Sequence, residues 1–227
     1  YGTVTLLIDD NTFEVTTYRN DGKYMDGRRP ENVVFSDSLE QDVLRRDFTI
    51  NGLAYDVFSG EVIDHVGGLE DLEKGEIRTI GSAIDRLSED GLRSFRACRL
   101  AAKLDFSIDE RTLGAIGETL SVSSLVSVER IRDELVKLLQ TEKPSKGLEY
   151  MRETGLLCLV LPELADCFGI AQNKFHSFDV YYHCLYSCDA AKKTNLIVRL
   201  AALLHDIGKL PTRKEGDGGD CVFYNHE

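Results

Sequence analysis

The chain has 227 residues, 42% hydrophobic and 29% charged, a composition that can fold around a sizeable core. It holds no run of about 18 apolar residues and no basic-then-apolar leader, so neither a membrane helix nor an export signal is expected. A net charge of −12 excludes a broadly basic nucleic-acid binder and leaves room for a focused basic site.

Residues 3–8 and 13–18 are alternating, β-branched runs around the turn sequence Asp9-Asp10-Asn11, and they read as a hairpin. Residues 19–30 are polar and carry Gly22, Gly27 and Pro30, which predicts an exposed loop. Residues 48–57 read as a strand or strand–helix junction, and 61–65 as a short strand. From Ser82 onward the apolar spacing approaches 3.6, which predicts helices over 88–104, 109–119, 128–139 and 145–153. Ser127 is a candidate N-cap with Glu129 well placed for the helix dipole, and Pro144 and Gly155 mark ends. A second helical block follows over 179–192 and 197–205, then a Gly/Asp loop over 215–220. The expected class is α+β: a small mixed β-sheet, then an all-helical remainder, with a boundary near Gly81. The six cysteines lie scattered without a CxxC pair, and Cys184 and Cys188 share a helix face, so reduced, mostly buried thiols of a cytosolic protein are expected.

Four segments can carry chemistry. On a helix over 88–104, Arg86, Glu89, Asp90, Arg93 and Arg96 fall within an arc of about 120°, and residues 78–103 hold six basic and three acidic side chains. Asp90, an acceptor, and Arg93, a planar donor fork, then project side by side and can meet the Watson–Crick edge of a base. A solvated helix face laced with ion pairs fits the same pattern. In Arg45-Arg46-Asp47-Phe48-Thr49-Ile50-Asn51, two guanidiniums can grip a triphosphate while Asp47 orients one of them or accepts from a ribose hydroxyl. A basic strand edge that deters aggregation is the alternative. Glu14, on a strand between apolar neighbours, suits a carboxylate cluster for two Mg²⁺ ions or a plain exposed position. His183, followed a helix later by His205-Asp206 and Gly208-Lys209, offers imidazoles and a carboxylate to a divalent metal, or ordinary hydrogen bonds.

Taken together these segments resemble the tRNA nucleotidyltransferases of class II, the CCA-adding enzymes and bacterial poly(A) polymerases. The likeness runs through Gly2–Thr5, 13–19, 26–30, 45–51, Gly67–Leu72, 77–81 and 89–104, and its most specific element is 45–51 followed by Glu89-Asp90-Gly91-Leu92-Arg93. It implies an incomplete nucleotidyltransferase head over 1–81, a neck of base-recognition and RNA-binding helices over 82–143, body helices over 144–170 and a partial HD-type unit over 171–227. By motif, Asp90 and Arg93 would be the amino-acid template that selects CTP and then ATP. Arg96 and Arg99 would touch phosphate or nucleotide, Arg46 would hold the incoming nucleotide, and Asp47 would sit near its ribose. Glu14 would be the third catalytic carboxylate of a Mg²⁺ centre. The loop at 19–30 resembles the one used in switching from C to A addition, which points away from a CC-only enzyme. His183, His205 and Asp206 match three ligands of a second divalent metal at the HD site.

The implied substrates are the tRNA 3′ end, CTP and ATP, in the cytoplasm and away from membranes. The family's Gly-Gly…Arg-Asp loop and Asp-x-Asp pair would precede Tyr1, and the last HD aspartate would follow Glu227. This polypeptide alone is therefore expected not to turn over nucleotide. Poly(A) addition, an HD phosphohydrolase and a non-catalytic tRNA-binding fragment are the rival functions.

Overall fold

The computed structural model describes residues 2–21, 33–172, 177–215, 221–223 and 225. Asp9 and Asp10 take left-handed φ values of 47° and 62°, the conformation a two-residue hairpin turn demands. They join β1 (Thr3–Ile8) to β2 (Asn11–Thr16) in antiparallel register, with Thr5 opposite Glu14. Val4, Leu6, Leu7, Ile8, Phe13 and Val15 all remain exposed on this hairpin. Two strands without a covered apolar face are marginal on their own, so the hairpin draws little stability from itself.

β3 (Arg19–Asp21) pairs with β4 (Val33–Phe35), and Ser38 caps α1 (Leu39–Leu44) by accepting from the Gln41 N–H. A 3₁₀ turn over Thr49–Asn51 leads to β5 (Ala54–Asp56) and its antiparallel partner β6 (Glu61–Ile63). Asp64 then accepts the N–H groups of Val66, Gly67, Gly68 and Leu69, which satisfies the amino end of α2 (Gly68–Lys74). β7 (Glu76–Ile77) runs parallel to β8 (Ser107–Ile108). Among the described residues the expected mixed sheet is thus five separate two-stranded sheets. The strand or strand–helix junction expected over 48–57 comprises the 3₁₀ turn and β5, and Thr49 anchors the turn by donating its hydroxyl to the Asp71 carboxylate and its N–H to the Arg78 carbonyl.

Helices fill the remainder: α3 (Ala83–Glu89), α4 (Leu92–Leu104), α5 (Glu110–Glu118), α6 (Leu120–Ser123), α7 (Val128–Leu139), α8 (Pro144–Glu153), α9 (Pro162–Ala165), α10 (Val180–Ala190), α11 (Leu196–Leu204) and α12 (Lys209–Thr212). Lys209–Thr212 runs into β9 (Arg213–Glu215), which pairs with β10 (Cys221–Phe223). Of the loops expected over 19–30 and 215–220, the first begins instead with the strand Arg19–Asp21 and Glu215 ends β9, while 22–30 and 216–220 lie outside the described residues. Ser127 holds the N-cap position of α7 without a side-chain cap bond, and Pro144 opens α8 at its first turn. One core runs from Phe48 and Ile77 through Phe95, Cys98, Ile116, Leu138 and Met151 to Tyr181 and Leu203. Each such apolar side chain contributes about 1.5–3 kcal/mol by leaving water. α4 lies at its centre, packed on α7 and α8.

The single helix expected over 88–104 is two helices. Asp90 is extended (φ −151°, ψ 108°), and its Oδ1 accepts the Leu92 N–H at 3.0 Å, which starts α4 afresh. Gly91 permits the junction, since a Cβ there would stand 2.5 Å from the Val122 carbonyl oxygen. Gly147 plays the same part where α8 crosses α4, 2.7 Å from the Cys98 carbonyl oxygen by the same measure.

Cys98, Cys167, Cys184 and Cys188 are buried free thiols, and Cys158 is exposed. Burial pushes Cys98 and Cys184 up to about 12 and Cys167 and Cys188 up to about 11, so all four stay protonated.

Candidate nucleotide site and metal centre

The carboxyl end of α1 organises the first cluster. Asp42, buried, stands three and four residues before Arg45 and Arg46 and pairs with both, with Arg46 Nη2 3.1 Å from Oδ2. Arg46 also donates from Nη1 to the Asn51 carbonyl at 2.9 Å, which fixes its fork while the side chain stays 40% exposed. Burial pushes the Asp42 carboxyl up, but hydrogen bonds from Arg45, the Arg19 N–H and Arg46 outweigh it and hold it below the usual carboxylate range.

Asp47 faces inward. Its Oδ1 accepts the Phe48 N–H at 2.9 Å and Asn51 Nδ2 at 3.0 Å, and its Oδ2 accepts Arg96 Nε at 2.7 Å. Burial raises its pKa, but the Arg96 charge and these bonds prevail and lower it. The arginine that Asp47 orients is therefore Arg96 on α4, and not its neighbours in sequence. Arg86 closes the arrangement: its Nη2 donates to the Leu44 carbonyl at 2.7 Å and its Nη1 to that of Arg45 at 3.1 Å. A guanidinium thus satisfies the carbonyl end of α1, where the helix dipole favours positive charge.

Glu89 Oε2 accepts from Arg86 Nη1 at 2.8 Å and also from Arg93. Arg93, nearly buried, donates to the Arg86 carbonyl at 2.7 Å. Asp90 turns instead to α7, where Arg130 grips both carboxylate oxygens at 3.1 and 2.6 Å. The expected common arc is thereby corrected. Arg86 and Glu89 belong to α3, Arg93 and Arg96 to α4, and Asp90 sits between them in an extended link. Arg99 pairs with buried Glu134 of α7 and is 11% exposed, so it faces the neck interior. No hydrogen bond or ion pair among the described residues joins Glu14 to this cluster.

Within the network, the five guanidiniums of Arg45, Arg46, Arg86, Arg93 and Arg96 meet the three carboxylates of Asp42, Asp47 and Glu89. Two half-exposed forks, Arg46 at 40% and Arg96 at 35%, suit a polyphosphate in an otherwise acidic chain. Sequence reasoning missed Asp42 and Arg130. Asp42 was detectable from its helical spacing to both arginines, whereas no local signal ties Arg130 to Asp90, forty positions away.

The second cluster joins α10 to the end of α11. His183 Nε2 lies 3.1 Å from His205 Nε2, and the two stand 3.3 and 3.2 Å from Asp206 Oδ2. His205 Nδ1 lies 2.8 Å from the Ala202 carbonyl, and donation there leaves Nε2 as the lone-pair atom that faces the group. Two imidazoles and a carboxylate fit a borderline divalent ion. Among the described residues this is the one group of three or more potential ligands this close, and Glu14 belongs to none. Asp206 is buried and also receives Lys209 Nζ at 2.6 Å.

An arginine cluster beside α1, an arginine-bearing set of helices and a His-Asp group are the features a nucleotidyltransferase with an appended HD unit would carry. Comparisons agree. The family described as Poly A polymerase head domain matches residues 1–78, Probable RNA and SrmB- binding site of polymerase A matches 105–168, and HD domain matches 175–227. The CCA-adding enzyme of Lactobacillus johnsonii is 46% identical over 156 residues, 69% of this chain and 39% of that enzyme. That of Enterococcus faecalis is 47% identical over 154 residues, 68% of this chain and 38% of that enzyme. The crystal structure of the Bacillus stearothermophilus CCA-adding enzyme with CTP superposes with a TM-score of 0.72 at 32% identity, over 92% of this chain and 47% of that one. The chain belongs to the CCA-adding enzyme and poly(A) polymerase family of nucleotidyltransferases, and it spans about two fifths of the length of these curated relatives.

Asp42 and Asp47, with lowered pKa values, stabilise the fold fully above the ordinary aspartate value of about 4, and the contribution is lost as pH falls through their folded values. Asp47→Asn is expected to cost about 1.5–3 kcal/mol at pH 7 and to flatten the acid limb of stability. Denaturant unfolding from pH 7 to pH 3 measures both.

Proposed function

We propose that this chain is the nucleotide-selecting part of an enzyme that adds CMP and AMP to the 3′ end of tRNA, from CTP and ATP, in the cytoplasm. The observation that carries the reading is a carboxylate and a guanidinium, Asp90 and Arg93, each fixed by its own partner, beside a cluster of arginines suited to a triphosphate. Arg46 and Arg96 would take the phosphates, and the terminal hydroxyl of the RNA, losing its proton, would attack the α-phosphorus as the α–β phosphoanhydride bond breaks and pyrophosphate leaves. Residues 1–81 would be the head, 82–143 the neck, 144–170 the body and 171–227 the HD unit.

Base choice follows from hydrogen-bond polarity. A carboxylate only accepts, so Asp90 suits the amino group that cytosine and adenine share. A guanidinium only donates, so Arg93 suits the ring nitrogen beside it. Uracil and guanine present the opposite polarity at both points and would leave desolvated groups without partners. Glu14 would give one oxygen to a Mg²⁺ ion that supports phosphoryl transfer. The described residues assemble no second carboxylate with it. Asp47 and Arg99, committed to Arg96 and Glu134, would act by positioning rather than by contact with ribose or phosphate.

A second reading rests on His183, His205 and Asp206, whose ligand atoms converge on one point. They would hold a divalent metal of a phosphohydrolase-like unit, where the metal would polarise a phosphate ester.

Isothermal titration of the chain with CTP, ATP, UTP and GTP tests the first reading. The wild-type chain should prefer CTP and ATP, and Arg93→Ala should reduce that preference roughly tenfold or more while tRNA affinity changes little. Unchanged discrimination contradicts it. For the second, Mn²⁺ should bind the wild-type chain with a protein-specific electron paramagnetic signature that His205→Ala abolishes; an unaltered signature contradicts the assignment.

A further inference from the structure

We propose that Phe178, Tyr182 and Tyr186, bordered by Phe168, form a stacking surface on α10 for the bases of single-stranded RNA. That the surface leads a strand toward His183, His205 and Asp206 rests on the metal reading given above. Tyr182 and Tyr186 stack 5.9 Å apart with 23° between their planes, Phe178 meets Tyr186 edge-on at 4.9 Å, and Phe168 meets Tyr182 edge-on at 6.0 Å. Phe168, Phe178 and Tyr186 are 44, 51 and 44% exposed, whereas Tyr181 on the same helix is fully covered. Rings that served only to close the core would be covered as Tyr181 is. The set is also held rigid. Asp179 accepts the Tyr182 N–H at 2.7 Å and the Gly169 N–H at 2.8 Å, and Gln172 Nε2 donates to the Phe178 carbonyl at 3.1 Å. Glu149 Oε1 accepts from the Tyr182 hydroxyl at 3.0 Å and from Arg152 at 2.6 Å, and the Arg152 guanidinium lies 3.9 Å from the centre of the Phe168 ring.

The chemistry at the border decides the occupant. His183 follows Tyr182 directly and stands three residues before Tyr186, so it neighbours that ring on the helix surface, about 5–6 Å away between Cβ atoms. Its own ring meets that of His205 at 5.1 Å, and both imidazoles converge with Asp206 on one point suited to a divalent ion. The aromatic surface therefore runs into a group whose bound cation would attract phosphate. A ligand in which flat bases alternate with phosphates matches that sequence of features, and an apolar protein surface matches only its first half. Every base has a π face, so such a surface binds RNA with little regard to sequence.

Fluorescence anisotropy with a short labelled oligoadenylate, and with an abasic strand of the same length and charge, tests the surface, with thermal midpoints measured beside it. The wild-type chain should bind the abasic strand roughly tenfold more weakly. Tyr186→Ala and Phe178→Ala should each weaken oligoadenylate binding roughly tenfold and leave the abasic strand unaffected. Tyr186→Phe, which keeps the ring, should bind as the wild type does, and so should Phe58→Ala, which removes an aromatic 98% exposed on the distant β5–β6 hairpin. Equal affinity for the two strands, or a Tyr186→Ala chain that binds oligoadenylate like the wild type, overturns the inference. So does a wild-type dimer in sedimentation that Tyr186→Ala dissolves, since a second copy would then cover the rings. Mn²⁺ should tighten binding by the wild-type chain and not by His205→Ala. Base dependence that persists without that gain would sink the metal reading and leave the stacking surface standing.

Discussion

One ion pair ties the molecule together: Asp47, beside the end of α1, with Arg96 on α4. Segments forty-nine positions apart meet through a nearly buried carboxylate whose other bonds hold Phe48 and Asn51 in their turn. Arg86 reinforces that contact by satisfying the carbonyls of Leu44 and Arg45. Both fastenings are made by arginines, so the same side chains that hold the structure are those proposed to meet a triphosphate. The half-exposed faces of Arg46 and Arg96 are what the fastening leaves over.

A similar logic joins the C-terminal helices to the neck. Arg199 of α11 is buried without a carboxylate among its hydrogen-bond acceptors. Its guanidinium donates to the carbonyls of Leu139 and Thr141 at 2.5 Å, while Nε reaches that of Ala191 at 3.0 Å. The ends of α7 and α10 thus converge on one cation, which their dipoles favour. α11 in turn ends at His205 and Asp206, so the helix that leads into the His-Asp group is pinned through Arg199 to α7.

Much of this was legible in the sequence. The Asp9-Asp10 turn, the helical period after Ser82 and the His-Asp pair are local signals, and each maps onto its element or cluster. The break at Asp90 was not legible, since Leu92, Phe95 and Cys98 continue the helical period begun by Leu87. The Asp90 carboxylate accepts the Leu92 N–H and restarts the helix, and Gly91 permits the junction because a Cβ there would stand 2.5 Å from the Val122 carbonyl oxygen, a tertiary fact. Partners were likewise hidden. Nothing in the spacing distinguishes Arg96, which reaches back to Asp47, from Arg99, which turns to Glu134. Spacing reports which face a residue occupies, and long-range packing decides what it meets.

The most direct test is a crystal structure of the chain soaked with CTP. The account predicts the triphosphate within hydrogen-bond distance of Arg46 and Arg96, with the cytosine amino group on Asp90 and N3 toward Arg93. A nucleotide bound elsewhere, or a base turned away from Asp90 and Arg93, would contradict it.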